Sequence, residues 1–246
     1  KIIHSTFGVR GGRVLVEGGL AIPGVAGTGA PIRLDFLEPG GATTGKLTPS
    51  GNASDVLDIP GVGQIEVSMI DAANACVFLA AASLGLSGTE MPDELERDTL
   101  LLEKLAAIRL HASVAMGIAP TLEAARERTA VPFIGFVSPP QDAQTLSGER
   151  LTAAAADFTV RMLASGQPHR ALPLTASLCA AVAARIEGSV VCSAARRGTG
   201  DALRLAMPSG VLTVGAEASC NNGSWQVARG SFYRTARRLF EGYVYA

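Results

Sequence analysis

Three short stretches carry residue types that could hold an anion. The first runs from Ser165 to Ile186, where a Gly/Pro loop bearing His169 and Arg170 leads into Leu174-Thr175-Ala176-Ser177 and then into three turns of apolar and small residues. A helix starting there leaves the N–H groups of its first turn, at Thr175, Ala176 and Ser177, without partners of their own. An anion facing such a terminus gains roughly 0.3–1 kcal/mol per charge contact, and more where water is excluded. The alternative is an ordinary core helix that Thr175 caps with its own hydroxyl. The second stretch, Pro49-Ser50-Gly51-Asn52, supplies a run of N–H groups and an amide side chain, or else a plain turn. In the third, Asp71-Ala72-Ala73-Asn74, polar residues interrupt two apolar runs. An Asx turn accounts for Asp71, whereas Asn74 passes at once into an apolar strand and stays a candidate side chain.

Other chemistries are disfavoured. Cys76, Cys179, Cys192 and Cys220 are far apart, form no CxxC and have no histidine in ligand spacing, which argues against a metal site or a disulfide framework. They read as small hydrophobes in a reduced, cytoplasmic protein. Gly24 to Gly29 is rich in glycine, but Pro31 and a strand follow, where a nucleotide loop must open a helix. A net charge of -1, with only Arg196-Arg197 and Arg237-Arg238 as basic pairs, leaves no footprint for nucleic acid. No apolar run approaches the ~18 residues of a membrane span. Charged residues make up 17% of the chain against a usual ~25%, so the apolar excess belongs to a core or to a covered surface. The chain opens at Lys1 inside a β-like alternation, without an initiator Met, which suggests a piece of something longer.

The elements that must position these residues are mostly strands. Lys1 to Val9 and Arg13 to Glu17 flank a hairpin at Arg10-Gly11-Gly12, and Leu20 to Ile22 and Ile32 to Phe36 follow. Val56 to Ile59, Gln64 to Met69 and Cys76 to Ala80 form the next group, with a turn at Pro60 to Gly63. Leu101, Leu102, Leu105, Ile108, Ala112 and Ala115 repeat at helical spacing and predict a helix from Thr99 to Met116, stopped by Gly117, in which His111 is structural. A short helix over Thr121 to Arg128 precedes strands at Phe133 to Ser138 and Asp157 to Leu163. After the apolar helix, Ala202 to Met207 and Val211 to Ala218 pair through Pro208-Ser209-Gly210. Asn222-Gly223 turns the chain into Trp225 to Tyr233, and Leu239 to Tyr245 is the last strand. Antiparallel neighbours around one all-apolar helix make the fold α+β.

In this order and spacing the motifs resemble the PrpF family over nearly the whole chain. They are Gly27-Thr28-Gly29-Ala30-Pro31-Ile32 leading to Leu34-Asp35-Phe36, Pro49-Ser50-Gly51-Asn52, and Asp71-Ala72-Ala73-Asn74 before Val77-Phe78. Leu84 to Glu90, His169-Arg170-Ala171 to Cys179, Pro208-Ser209-Gly210 and Glu241-Gly242-Tyr243-Val244 continue the series. The resemblance implies a diaminopimelate-epimerase-like fold, in which two pseudo-symmetric halves each curl a mostly antiparallel sheet around a central buried helix. By it, residues 41–237 are a complete second half with its central helix near 175–186. Residues 1–40, with 238–246 returning to them, are the remnant of a first half only partly present.

The family includes 2-methylaconitate cis-trans isomerase and 4-oxalomesaconate tautomerase. The resemblance therefore implies a cofactor-independent proton shift in a small unsaturated di- or tricarboxylate, or a keto-enol tautomerisation. The rival reading is a non-catalytic binding domain. In the family a Lys and a Cys of the first half carry the proton transfer. No cysteine precedes Cys76 here, and Lys46 stands in a loop, so no catalytic residue is assigned. The substrate-binding groups implied are Ser50, Gly51, Asn52, Asn74, His169, Thr175, Ala176 and Ser177, with Ser209 as a weaker candidate. Met207 stands where members often have His, and Ser50 where they often have Thr. Related amino-acid epimerases have a second thiol just before the central helix, where this chain has Leu174 and Thr175, so a two-thiol racemase is disfavoured. Residues 1–246 alone are expected to self-associate, as a homo-oligomer or aggregate, and to lack isomerase activity.

Overall fold

The computed structural model describes residues 2–196, 198, 200–237 and 241–243. Its longer strands are β1 (Ile3–Phe7), β2 (Ile32–Leu37), β3 (Asp55–Ile59), β4 (Gly63–Ala72), β5 (Asn74–Ala80), β6 (Phe133–Ser138), β7 (Phe158–Ala164), β8 (Ala202–Met207), β9 (Gly210–Asn221) and β10 (Ser224–Arg234). They form one sheet in the order β1-β2-β10-β9-β8-β7-β6-β5-β4-β3, with the short strand Gln167–Pro168 added beside β7. Neighbours are antiparallel except β5 with β6 and β7 with β8. The sheet curls back on itself. Ala73 N–H donates to Pro39 O at 2.8 Å and Gly40 bridges Ala72, so the segment after β2 closes against the β4–β5 turn.

Among the described residues five α-helices accompany the sheet: α1 (Pro92–Arg97), α2 (Thr99–Ala115), α3 (Leu122–Glu127), α4 (Leu174–Ala183) and α5 (Val190–Ala194). The curl encloses α4. Every residue of it from Ala176 to Ala183 is buried, among Ile70, Phe78, Phe158, Leu205, Val214 and Phe232. Gly230 lets β10 approach, since a Cβ there would stand 2.5 Å from the Leu178 side chain. On the outer face, Val67, Val77, Leu79, Ile134 and Phe136 pack against Leu101, Leu105, Ile108 and Ala112 of α2. Strands β4, β5 and β6 are thus covered on both faces, which is why they read as apolar runs rather than alternating ones.

Periodicity located α2, Gly117 with its positive φ of 72°, and the Asn222-Gly223 turn with φ of 51° and 78°. It missed α1 and α5, which are too short to show a stripe. The central helix runs from Leu174 to Ala183, with Ala184 as its C-cap, and so ends earlier than expected. Residues 3–7 and 32–37 are outer strands of the same sheet, so the idea of an incomplete first half gains no support from them. Most of the expected last strand falls outside the described residues, and Glu241–Tyr243 lie in no strand. Cys220 is exposed on β9 and not a buried hydrophobe as expected, while Cys76 and Cys179 are buried. Among the described residues no helix is long and apolar enough to cross a membrane.

Candidate functional site

The entry to α4 is built by a loop that the sheet holds at two points. His169 N–H donates to Met162 O of β7 at 2.9 Å, and Leu172 N–H reaches the Met207 sulfur at the end of β8 at 3.3 Å. Pro173 then occupies the N-cap position, and no side chain caps the helix. Thr175 does not close the terminus, because its hydroxyl has no hydrogen-bond partner among the described residues and lies inside the helix, past the cap position. Ser177 is a correction. Its N–H already donates to Pro173 O at 2.9 Å, and its buried hydroxyl donates back to Leu174 O at 2.8 Å. The free donors are the N–H groups of Leu174, Thr175 and Ala176, so the triplet is shifted one residue toward the N-terminus from the expected set.

His169 stands in the loop that enters α4, and Ser209 in the turn after β8, whose last residue meets that loop. His169 is half-buried with its ring centroid 6.2 Å from that of Phe133, and its Nε2 is buried without a hydrogen-bond partner. Burial pushes its pKa below the ordinary 6.5, so a neutral imidazole is favoured. Ser209 sits in the turn between β8 and β9, two residues past Met207, and its Oγ is also buried and unpartnered. Buried polar atoms without partners are uncommon. Two of them, on the loop before α4 and on the turn that Met207 links to that loop, mark this end of the helix as the candidate place for an anion or polar ligand.

Asn74 opens β5 two residues before Cys76, the register partner of Phe133, and so lies toward the His169 end of the sheet. Its amide makes no hydrogen bond among the described residues. Asp71 is not in an Asx turn. Its Oδ2 accepts from Thr43 N at 2.7 Å, Thr44 N at 2.6 Å and Thr44 Oγ1 at 2.9 Å, which clasps the loop after β2 onto the β4–β5 turn.

Ser50, Gly51 and Asn52 are not brought to the helix mouth. Ser50 Oγ and Asn52 Nδ2 donate to the two carboxylate oxygens of Asp55, at 2.6 and 2.7 Å, and all three residues are exposed. The next residue, Ala53, packs near Gly188, beyond the C-terminal end of α4. Their polar groups close a turn onto β3, and the local sequence could not show that Asp55 would take them.

Two groups escaped the sequence reading. One is the N–H of Leu174, hidden because an apolar side chain draws no notice as a donor. The other is Arg234, the last residue of β10, which the expected strand ending at Tyr233 left out. Strand alternation carried one residue further would have put it on the face of Phe232. The loop itself is braced by α1, where Asp93 pairs with Arg170 at 2.8 Å, and by Arg161 on β7, which donates to Glu90 O at 2.7 Å. Burial lowers the Arg161 pKa to about 10, still well above neutrality.

An apolar helix wrapped by a curled, mostly antiparallel sheet, with its uncapped N-terminus at an open mouth, defines an α+β protein that offers backbone donors to an anion. The chain belongs to the PrpF family, whose model, described as PrpF protein, matches residues 1–246. It is 36% identical to the 2-methyl-aconitate isomerase of Shewanella oneidensis over 99% of this chain and 62% of that protein. It is 37% identical to the 3-methylitaconate isomerase of Eubacterium barkeri over 100% of this chain and 64% of that one. A crystal structure of methylitaconate-delta-isomerase matches with a TM-score of 0.89 at 37% identity, covering 98% of this chain and 62% of its own. The chain therefore spans somewhat less than two thirds of the length of these relatives.

Proposed function

We propose that the protein is an isomerase that moves a proton and a double bond in a small unsaturated di- or tricarboxylate, as in 2-methylaconitate-type cis-trans isomerisation. The residues at the mouth of α4 would hold the substrate's carboxylates. The observation that carries this reading is the uncapped first turn of α4, with the free N–H groups of Leu174, Thr175 and Ala176, behind a loop whose His169 keeps a buried, unpartnered Nε2.

The chemistry matches what such a mouth can do. A base removes a proton from an allylic carbon, the electron pair spreads through the double bond onto a carboxylate, and an acid returns a proton at the far carbon. Charge on that carboxylate grows in the transition state, so N–H donors aimed at it lower the barrier more than they tighten substrate binding. No electron is gained or lost. Neutral His169 could donate to a carboxylate oxygen. The base and the acid are assigned to no residue of this chain. The free thiols support a reducing, cytoplasmic setting.

The test is an ultraviolet assay of the full-length protein with 2-methylaconitate, 3-methylitaconate and an oxo-tricarboxylate in parallel. Turnover of either of the first two by a double-bond shift is expected. Turnover of the oxo-tricarboxylate alone would reassign the protein as a tautomerase, and binding without turnover of any would leave a carboxylate-binding domain.

A further inference from the structure

Arg234 has no ion-pair partner among the described residues. Side chains alternate along β10, so Gly230, Phe232 and Arg234 share one face. That face looks inward. Gly230 is backed by Leu178 of α4, Phe232 is fully buried in the core around that helix, and the Arg234 guanidinium carbon lies 6.0 Å from the Phe232 ring centroid.

The direction of travel along β10 is set by its neighbours. β10 runs antiparallel to β9, which begins at Gly210 directly after Ser209, beside the Leu172 entry to α4. Going from Gly230 to Arg234 therefore leads toward the helix mouth. Four strand residues cover about 13 Å, whereas α4 extends only about 6 Å from Leu178 back to Leu174. Even with the strand tilted, the difference carries Arg234 toward the first turn of α4.

A cation is poorly accommodated there. The N-terminus of a helix carries partial positive charge, which repels a guanidinium, and burial also disfavours the charged form and lowers the Arg234 pKa. A carboxylate lying between the two would relieve both effects at once. We propose that Arg234 is a substrate-binding residue that takes the second carboxylate of a di- or tricarboxylate whose first carboxylate lies on the N–H groups of α4. This rests on the polycarboxylate reading of the site and makes Arg234 the group that selects polycarboxylates over monocarboxylates. Phe232 supports it as a flat apolar floor.

The experiment is titration calorimetry of the full-length protein with trans-aconitate as the probe, comparing the parent with Arg234→Gln and Arg234→Lys. Arg234→Gln should weaken binding about thirtyfold, the scale of one charge-assisted bidentate contact. Arg234→Lys, which keeps the charge but not the fork, should recover to within about fivefold of the parent. Should the Gln variant melt early, Arg234→Met keeps the aliphatic cover over Phe232 and is judged by the same thirtyfold criterion. Binding by Arg234→Gln or Arg234→Met within twofold of a parent that does bind would overturn this inference and leave the functional reading standing. A parent that does not bind trans-aconitate would overturn the functional reading, and this inference with it.

Discussion

The helices α2 and α4 lie on opposite faces of β4, β5 and β6, and they begin in opposite ways. At α2, Asp98 accepts from Leu101 N–H at 2.9 Å and closes the terminus, and its one histidine, His111, has Nδ1 2.9 Å from Ala107 O. At α4 a proline holds the cap position, three N–H groups stay open, and the nearby histidine keeps a buried nitrogen unpartnered. Both helices are packed by comparable sets of large apolar side chains. Packing alone therefore does not mark the site. What separates the two helices is the treatment of the polar groups at the first turn, and the proposed site rests on it, since an uncapped, sheltered terminus is unfavourable until something fills it.

The largest expected effect tests how alike the two cores are. Leu178 of α4 and Leu105 of α2 are both almost fully buried. Truncating either to Ala should cost about 2–5 kcal/mol in chemical denaturation. Only Leu178→Ala should also weaken trans-aconitate binding, because it loosens the wall next to the mouth. Equal loss of ligand affinity in both variants would show that the α4 end is not special.

A charge introduced at each helix start sharpens the contrast. Thr175→Asp puts a carboxylate where the ligand's carboxylate must sit and should weaken trans-aconitate binding by about 2 kcal/mol, close to thirtyfold. Thr99→Asp at the first position of α2 should leave binding unchanged. Calorimetry on both variants measures this, and unchanged affinity in a folded Thr175→Asp protein would remove α4 from the site. Conversely, Asp98→Ala should cost α2 about 1 kcal/mol of stability through loss of its cap, with binding unaffected.

The smallest effect is in the pH dependence. Burial holds the folded-state pKa of His169 below 6.5, so near pH 6 the unfolded chain binds more protons than the folded one. Stability should be insensitive to this group above pH 6.5 and should fall as the pH drops from there toward the lowered value. His169→Gln should flatten that part of a melting-temperature profile between pH 5 and 7. An identical slope in the variant would mean that His169 does not titrate as its burial requires.

Much of the architecture was legible because it follows from short-range pattern. The 3.6-residue stripe of Leu101 to Ala112, the all-apolar run after Leu174 and the Asn222-Gly223 turn each encode their element within a window of a few residues. The site was only partly legible. Ser177 looked like a donor by position, yet the helix starts one residue early and takes its N–H. Ser50 and Asn52 looked available until Asp55, a few residues on, claimed both. Asp71 looked like a local turn former and instead clasps Thr43 and Thr44, almost thirty positions upstream.

By itself the sequence determined that a buried helix follows the Gly/Pro loop, though it placed that helix near 175–186, that strands dominate around it, and that its motifs follow those of the PrpF family. Those properties depend on residue type and spacing, which the chain carries in any surroundings. Only the tertiary structure decided which polar groups are left over. Met207 reaches Leu172 from 35 positions away, and β10 lays Gly230 against Leu178 of a helix some 50 residues earlier. A donor is free or spent according to what distant strands bring against it, and a curled sheet sets those distances through its register and twist.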